Sequence, residues 1–448
     1  MLNFKFKENK VLTGSFHFQK NQKKISYFEY MKKNMLNNMA YKLSPKSKGN
    51  QAKSFLKQLI KNYKDYRKNW IEKPNYYFNK KTYREDKSFL NSVPLCLDIE
   101  VAAVCDLACP FCFREHVVTP DKIIDQKLCL NLIEQAADLH IPSIKFNWRG
   151  EPLLHPKIFD FIYFAKKKGI METIINTNAT NLTSLNAEKL IDSGLDLLIY
   201  SFDGGSKETY EYMRPGRFKK NSFDLVYENI KNFKKFKTIK KSKFPYTKIQ
   251  MILTDKTYLE VDKFYELFND YVDDVTVNQY TERGGNLSDL SPNELNAFNS
   301  LIKKYNLPQD TPYMKNIFGE IKISRNRKPC KQPFQRLLVT YEGKVGMCCY
   351  DWGASHPVGY VDVKAFNNNK DYEQVFENVK KNKRGFELLK KVKMPCLNNI
   401  IDKKISSIKD IWLGEPINLV RDKHCEGESE KIAICKNCSF KDVYDWSD

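Results

Sequence analysis

Three cysteines lie close together in the segment DIEVAAVCDLACPFCFREH, with the spacing Cys105-x3-Cys109-x2-Cys112. Three thiolates at this spacing can bind three irons of a cubane cluster and leave the fourth iron open to a ligand. Zinc is the alternative, because His116 could complete a tetrahedral site of three cysteines and one histidine. The triplet directly follows an apolar run that predicts a buried strand, and this setting favours the iron–sulfur interpretation.

A second set of cysteines occupies the C-terminal part of the chain. Cys330 and Cys348 flank a segment that contains Gly343, and a Cys-x2-Cys pair follows at Cys435 and Cys438. The position of Gly343 fits a hairpin that would bring Cys330 and Cys348 side by side. The 12 cysteines of the chain are clustered and no secretion signal is apparent, so metal ligation is favoured over disulfide bonds. A zinc ribbon is the alternative, although its two pairs would each normally be Cys-x2-Cys.

Polar motifs follow the predicted strands downstream of the triplet. In WRGEPLLHP, Gly150 would let the backbone approach a ligand closely, and the acidic residue Glu151 follows it. The motifs NTNAT and SFDGG follow the next two strands and supply Asn178, Ser201 and Asp203. Each of these three residues could equally be a turn residue.

The triplet, with Phe111 directly before its third cysteine, resembles the signature of the radical S-adenosylmethionine superfamily. In that family the open iron of a 4Fe–4S cluster binds S-adenosylmethionine, whose reductive cleavage yields a 5′-deoxyadenosyl radical that abstracts hydrogen from substrate. The resemblance implies that Phe111 packs near the adenine and that Glu151, beside Gly150, binds the methionine ammonium. It also implies that three further residues lie near the cofactor, namely Asn178, Ser201 and Asp203. One departure from the family's Gly-Gly-Glu motif is Arg149, which replaces the first glycine.

The C-terminal cysteines resemble the SPASM/Twitch extension of the same superfamily, which binds auxiliary iron–sulfur clusters. The matching ligands are Cys330, Cys348, Cys435 and Cys438. Full modules of this kind carry two clusters and more cysteines, so we expect one auxiliary 4Fe–4S cluster here. Metal binding by three other nearby cysteines is left open, namely Cys349, Cys396 and Cys425.

The elements that must position these motifs alternate between apolar runs and amphipathic stretches. Six apolar runs predict buried strands, namely LDIEV (97–101), SIKFN (143–147), ETIIN (172–176), DLLIY (196–200), TKIQMIL (247–253) and DVTVN (274–278). Six strand–helix units in succession predict an α/β fold whose parallel sheet curls into a partial (βα)6 TIM-like barrel. Chemistry in such barrels gathers at the C-terminal ends of the strands. We expect a basic N-terminal extension (1–90), this barrel (91–290) and a small cysteine-rich iron–sulfur module (291–448).

The charge of the chain is concentrated at its start. Residues 1–90 hold 22 of the basic and 6 of the acidic residues, an excess of +16, and the net charge of the whole chain is +21. Such an excess can bind nucleic acid, but no nucleic-acid motif accompanies it, so a lysine-rich surface segment is favoured. No apolar run is long enough to cross a membrane, and we expect a cytoplasmic protein.

The resemblance leads to a specific expectation about activity. We expect a radical S-adenosylmethionine oxidoreductase that oxidises a sugar or aminocyclitol-type small molecule by two electrons, with flavodoxin or ferredoxin as electron donor. Modification of a peptide or protein side chain is the alternative within enzymes. A zinc-stabilised nucleic-acid-binding protein is the non-enzymatic alternative.

Overall fold

The structure is a computed structural model that describes most of the chain. The described residues are 15–17, 25–42, 46, 48–80, 82–112, 114, 119–254, 256–279, 313–315, 321–323, 329–367, 373, 377, 401–436 and 438. No helix among them combines the length and the apolar character needed to span a bilayer.

The strands of the described residues form one ten-stranded sheet and one two-stranded sheet. In chain order they are β1 (Ser15–His17), β2 (Cys96–Ile99), β3 (Ser143–Lys145), β4 (Glu172–Thr177), β5 (Leu197–Ser201), β6 (Tyr246–Leu253), β7 (Asp274–Gln279), β8 (Tyr313–Lys315), β9 (Ile321–Ile323), β10 (Arg336–Val339), β11 (Lys344–Gly346) and β12 (Pro357–Tyr360). Strands β2 to β7 lie side by side in sequence order and are all parallel. The predicted partial (βα)6 barrel is confirmed, with all six strands where the apolar runs lie.

Helices cover the outer face of these parallel strands. The helices of the described residues are α1 (Tyr27–Asn34), α2 (Met39–Lys42), α3 (Ala52–Phe78), α4 (Lys87–Leu90), α5 (Gln126–Asp138), α6 (Ile158–Lys167), α7 (Ser184–Asp192), α8 (Lys207–Met213), α9 (Phe223–Ile239), α10 (Val261–Phe268), α11 (Lys364–Asn367), α12 (Ile408–Leu413), α13 (Glu415–Cys425) and α14 (Ala433–Lys436). Local chemistry sets several helix starts, because Asp125, Thr183 and Ser222 each accept a hydrogen bond from a backbone N–H of the first turn.

The C-terminal strands extend the barrel sheet. Strand β10 pairs parallel with β2, and β11 and β12 continue from it as an antiparallel meander. Apolar side chains of this region, such as Leu337 and Trp412, belong to the same core cluster as those of the barrel. Residues of the expected C-terminal module therefore share the sheet and the core of the barrel. The division into three units stays a prediction.

The N-terminal helices pack on the barrel near the start of its strands. Tyr63 and Tyr66 of α3 donate hydrogen bonds to Glu172, the first residue of β4, at 3.4 and 2.9 Å. Asn38 donates to the carboxylate of Asp196, which precedes β5, at 2.8 Å. These contacts make the described residues between positions 25 and 90 part of the folded body.

Helix α3 has two chemically different faces. Its buried residues recur at helical spacing: Tyr63, Tyr66, Trp70, Pro74 and Tyr77. Its exposed residues include a row of lysines at positions 53, 57, 61, 64 and 68. The expected lysine-rich surface accounts for one face only, because the other face buries aromatic rings against the barrel.

We predict that Trp70→Ala lowers the free energy of unfolding of the apoprotein by about 3–5 kcal/mol, the usual cost of deleting a buried aromatic side chain. Trp70 is 4% exposed and lies in a cluster with Leu95 and Cys96 at the start of β2. The control is Lys61→Ala on the exposed face of the same helix, which should change the value by less than about 0.5 kcal/mol. Urea unfolding followed by circular dichroism measures both. Equal effects of the two changes would show that α3 is not anchored as described.

Candidate active site

The cysteine triplet lies on the loop that follows β2. The N–H of Cys112 donates to the carbonyl oxygen of Cys109 at 2.9 Å, which turns the chain back on itself. Burial raises the pKa of the Cys105 thiol to about 12 and that of Cys109 well above its ordinary value, and the neighbouring thiols add to both shifts. The three thiols thus share one site, and metal binding there must release their protons.

Residues after α8 hold this loop in place. The N–H of Ala108 donates to the carbonyl oxygen of Pro215 at 2.9 Å. The N–H of Arg217 donates to the backbone carbonyl oxygen of Asp106 at 2.7 Å. Between these two bonds, Leu107 forms an isolated antiparallel bridge with Gly216. The cysteine loop is therefore paired with backbone from the other side of the barrel mouth.

Gly150 lies directly against the backbone that leads into the triplet. It has φ of +67°, and a β-carbon on it would stand 2.4 Å from the carbonyl oxygens of both Ala102 and Val104. The N–H of the next residue, Glu151, donates to the Val104 oxygen at 2.8 Å. Only glycine allows this approach, so Gly150 here serves the packing of the cysteine loop.

The Glu151 carboxylate is buried and fixed by three donors. It accepts hydrogen bonds from the N–H of Leu153 at 3.0 Å, the hydroxyl of Thr177 at 2.7 Å and the N–H of Asn178 at 2.7 Å. Burial nevertheless raises its pKa to about 7. A cation bound beside it would favour the ionised form, and an ammonium group has that charge.

Asn178 connects this carboxylate to the cysteine loop. Its side-chain amide donates to Asp106 at 2.8 Å and lies 4.0 Å from the sulfur of Cys105. Thr180 also donates to Asp106, at 2.5 Å. The structure thus brings Gly150, Glu151 and Asn178 together beside the triplet loop.

Arg149, the departure from the glycine-rich motif, is completely buried. Its Nε and Nη2 atoms donate to the two carboxylate oxygens of Glu100 at 2.6 and 2.9 Å. Its guanidinium also lies over the ring of Trp148, 4.3 Å from the centroid. Arg149 therefore anchors the motif to the residue that follows β2.

Asp203 is paired with a cation that the sequence motifs did not indicate. Its carboxylate lies 2.6 Å from Nη2 of Arg214 and accepts a hydrogen bond from the N–H of Ile252 at 2.6 Å. Arg214 lies 5.8 Å from the ring centroid of Phe111, and its charge acts on the thiol of Cys109. Asp203 therefore positions Arg214, which faces the triplet loop beside Phe111.

Ser201 lies further along the inner face of the sheet. It is half-buried at the end of β5, opposite Gln250 of β6 in the strand register. Two other half-buried amides share this face, Asn176 on β4 and Asn278 on β7, and Asn278 donates to Gln250 at 3.1 Å. The inner face therefore carries a group of uncharged polar side chains along β4 to β7.

A second cysteine-lined cavity lies among residues of the C-terminal part of the chain. We call it the auxiliary pocket; its lining includes all four predicted ligands together with one histidine, namely Cys330, Cys348, Cys435, Cys438 and His424. Burial raises the pKa of the Cys348 thiol well above its ordinary value, and Cys435 and Cys438 contribute to the shift. Trp148 bridges to this region, since its indole N–H donates to the carbonyl oxygen of Cys349 at 2.8 Å.

Some candidate ligands lie outside the described residues, namely His116 and Cys396. Sequence reasoning missed Arg214 and His424. Arg214 stands in the segment MRPGR, nine residues after the SFDGG motif, and no local pattern connects it with that motif. His424 stands alone between the C-terminal cysteines, without ligand-like spacing.

Comparison with known proteins identifies the barrel. Residues 99–268 match the Radical SAM superfamily, so the chain contains a radical SAM domain that spans the triplet and the motifs after β3, β4 and β5. S-adenosylmethionine and a 4Fe–4S cluster are the cofactors of this domain. This identification replaces the alternative of a zinc-stabilised nucleic-acid-binding protein.

Several characterised proteins are similar over much of the chain. The tungsten-containing aldehyde ferredoxin oxidoreductase cofactor-modifying protein of Pyrococcus furiosus is 24% identical over 361 residues, 78% of this chain and 88% of that protein. The AdoMet-dependent heme synthase of Methanosarcina barkeri is 22% identical over 307 residues, 64% of this chain and 84% of that protein. The crystal structure of BtrN in complex with AdoMet and 2-DOIA covers 78% of this chain and 93% of that chain, with 18% identity and a TM-score of 0.41.

We predict that Gly150→Ala displaces the cysteine loop and lowers the iron content of the reconstituted protein by about four irons, the content of one cluster. The matched control is Gly169→Ala. Gly169 also has a positive φ, of +95°, but nothing lies within 4 Å of a β-carbon there. The Gly169→Ala variant should lose about 1–2 kcal/mol of its free energy of unfolding from backbone strain alone, and it should keep its full iron content. Iron analysis and unfolding curves check both variants. Full iron in Gly150→Ala would mean that the close approach does not shape the site.

Proposed function

We propose that this enzyme oxidises an alcohol of a small polyhydroxylated molecule, of the sugar or aminocyclitol type, by two electrons. The observation that carries the proposal is a pair of cysteine sites in one body, the triplet on the loop after β2 and the auxiliary pocket beyond β10. One site would generate the radical, and the other would accept the electron that remains after hydrogen abstraction.

The donor sets fit iron–sulfur clusters. Cys105, Cys109 and Cys112 would hold the catalytic cluster, and the four cysteines of the auxiliary pocket would hold a second one. Thiolates are the ligands that iron–sulfur clusters take, and the two sites offer three and four of them.

Three side chains would bind S-adenosylmethionine beside the triplet. Glu151 would accept from the ammonium, and the guanidinium of Arg214 would bind the carboxylate. The Nε atom of Arg214 is buried and has no hydrogen-bond partner among the described residues, so it is available for such a contact. Phe111, beside Arg214, would pack against the adenine.

The reaction balances as a loss of two protons and two electrons from the alcohol. When bound, the cofactors supply a 5′-deoxyadenosyl radical that takes one hydrogen atom from the carbinol carbon. The hydroxyl proton and one further electron must then leave to form the carbonyl, with the auxiliary pocket as the electron's destination. Cleavage of S-adenosylmethionine itself consumes one electron, which a flavodoxin or ferredoxin would deliver.

Two observations support a small polar substrate. The inner face of the sheet along β4 to β7 presents amides and a hydroxyl, from Asn176, Ser201, Gln250 and Asn278, and such groups pair well with hydroxyls of a polyol. The printed names of the Pyrococcus and Methanosarcina relatives also concern small molecules, a cofactor and heme.

The two cysteine sets are expected to separate radical generation from oxidation. Replacing Cys105, Cys109 and Cys112 with Ala should lower iron from about eight to about four per chain and abolish formation of 5′-deoxyadenosine. Replacing the four pocket cysteines with Ala should also leave about four irons but preserve cleavage of S-adenosylmethionine, while substrate oxidation stops. Circular dichroism controls for unfolding. Only about four irons in the fully reconstituted wild type, with tightly bound zinc, would exclude the auxiliary cluster.

The substrate class can be tested with deuterium. We predict that sugars or aminocyclitols deuterated at carbinol carbons transfer deuterium to 5′-deoxyadenosine and give one carbonyl product per transfer. Mass spectrometry of 5′-deoxyadenosine measures the transfer, and the pocket-cysteine variant is the control, since it should form little carbonyl. Transfer from a peptide alone would establish the alternative of peptide modification.

A further inference from the structure

His424 is a buried histidine that lines the auxiliary pocket from α13. It is 1% exposed, and both of its ring nitrogens are engaged. The backbone N–H of Cys330 donates to Nδ1 at 3.3 Å, and Nε2 lies 3.6 Å from the sulfur of Cys435. One imidazole ring thus touches two of the four candidate ligand residues.

The contact with Cys330 fixes the tautomer of His424. A backbone N–H can only donate, so Nδ1 must be the acceptor and carry no proton. The proton of the neutral ring then resides on Nε2, the atom that faces the sulfur of Cys435. Nε2 is therefore the donor of an N–H···S hydrogen bond whenever that sulfur is a thiolate.

We infer that His424 is a positioning residue that tunes the auxiliary cluster through this hydrogen bond. The inference rests on the proposed function, because it requires the cluster in the auxiliary pocket. A donor to a cysteine sulfur stabilises the added negative charge of the reduced cluster, and hydrogen bonds to sulfur are among the factors that set such potentials. His424 therefore makes the cluster a better acceptor of the electron released during substrate oxidation.

The surroundings of His424 separate this role from simple space filling. Its Nδ1 partner is backbone, while its Nε2 partner is a ligand side chain, so the two contacts can be removed one at a time. Asn at 424 places its amide near the position of Nδ1 and keeps the Cys330 contact. Gln at 424 reaches the position of Nε2 and keeps a donor to Cys435.

The experiment measures the reduction potential of the auxiliary cluster in the full chain with Cys105, Cys109 and Cys112 replaced by Ala. In this background the auxiliary cluster is the remaining one, and a potentiometric titration followed by electron paramagnetic resonance reports it alone.

His424→Asn should lower the potential by about 59 mV, a tenfold fall in the reduced-to-oxidised ratio for one electron. His424→Gln should stay near the unsubstituted background. His356→Asn, a change of another buried histidine in this region that does not line the auxiliary pocket, should also leave the potential unchanged.

Four results would overturn the inference. An unchanged potential in His424→Asn would remove the tuning role, and an equal fall in His424→Gln or His356→Asn would assign the effect to packing. Loss of the cluster from His424→Asn but not from His424→Gln would make His424 a ligand. The absence of any cluster from the background with His424 intact would instead refute the auxiliary site of the proposed function, and the inference with it.

Discussion

A fully buried ion pair between Glu100 and Arg149 holds the two halves of the active site together. Glu100 follows β2, Arg149 opens the motif after β3, and one carboxylate oxygen of Glu100 also accepts from the N–H of Tyr341, after β10. Removing one partner from a buried pair of this kind costs about 3–5 kcal/mol, because the other charge is left uncompensated. The placement of Gly150, and with it the path of the cysteine loop, depends on this pair.

The same pair connects the triplet to the auxiliary pocket. Arg149 lies against Trp148, and the indole of Trp148 reaches the carbonyl oxygen of Cys349, the residue after pocket ligand candidate Cys348. The loss of the motif's first glycine thus has a structural reason. The long cationic side chain of Arg149 connects the barrel with the C-terminal strands. A glycine at this position has no side chain and could not make this connection. The two cysteine sites are consequently held at a fixed distance by packed side chains.

The sequence predicts most of the barrel and a good part of the site. Buried parallel strands are short apolar runs, so their signal is local, and the motifs at their ends converge because the strands are parallel. The pairing of β10 with β2 has no local signal, since more than two hundred residues separate the strands. The aromatic face of α3 does have a local sequence signal, which is the helical spacing of Tyr63, Tyr66 and Trp70. The lysines around these residues obscured that signal. Arg214 and His424 stayed hidden because their partners are set by tertiary contacts alone.

The pairing of β2 with β10 also bears on how the protein is made. Ribosomes add about 5–20 residues per second, so β2 waits for roughly 10–50 s before β10 emerges to cover its open edge. An unpaired edge strand is a template for association with other chains, and this one borders the cysteine loop. Nascent chains therefore pass through an interval in which the edge is exposed while the barrel is otherwise complete.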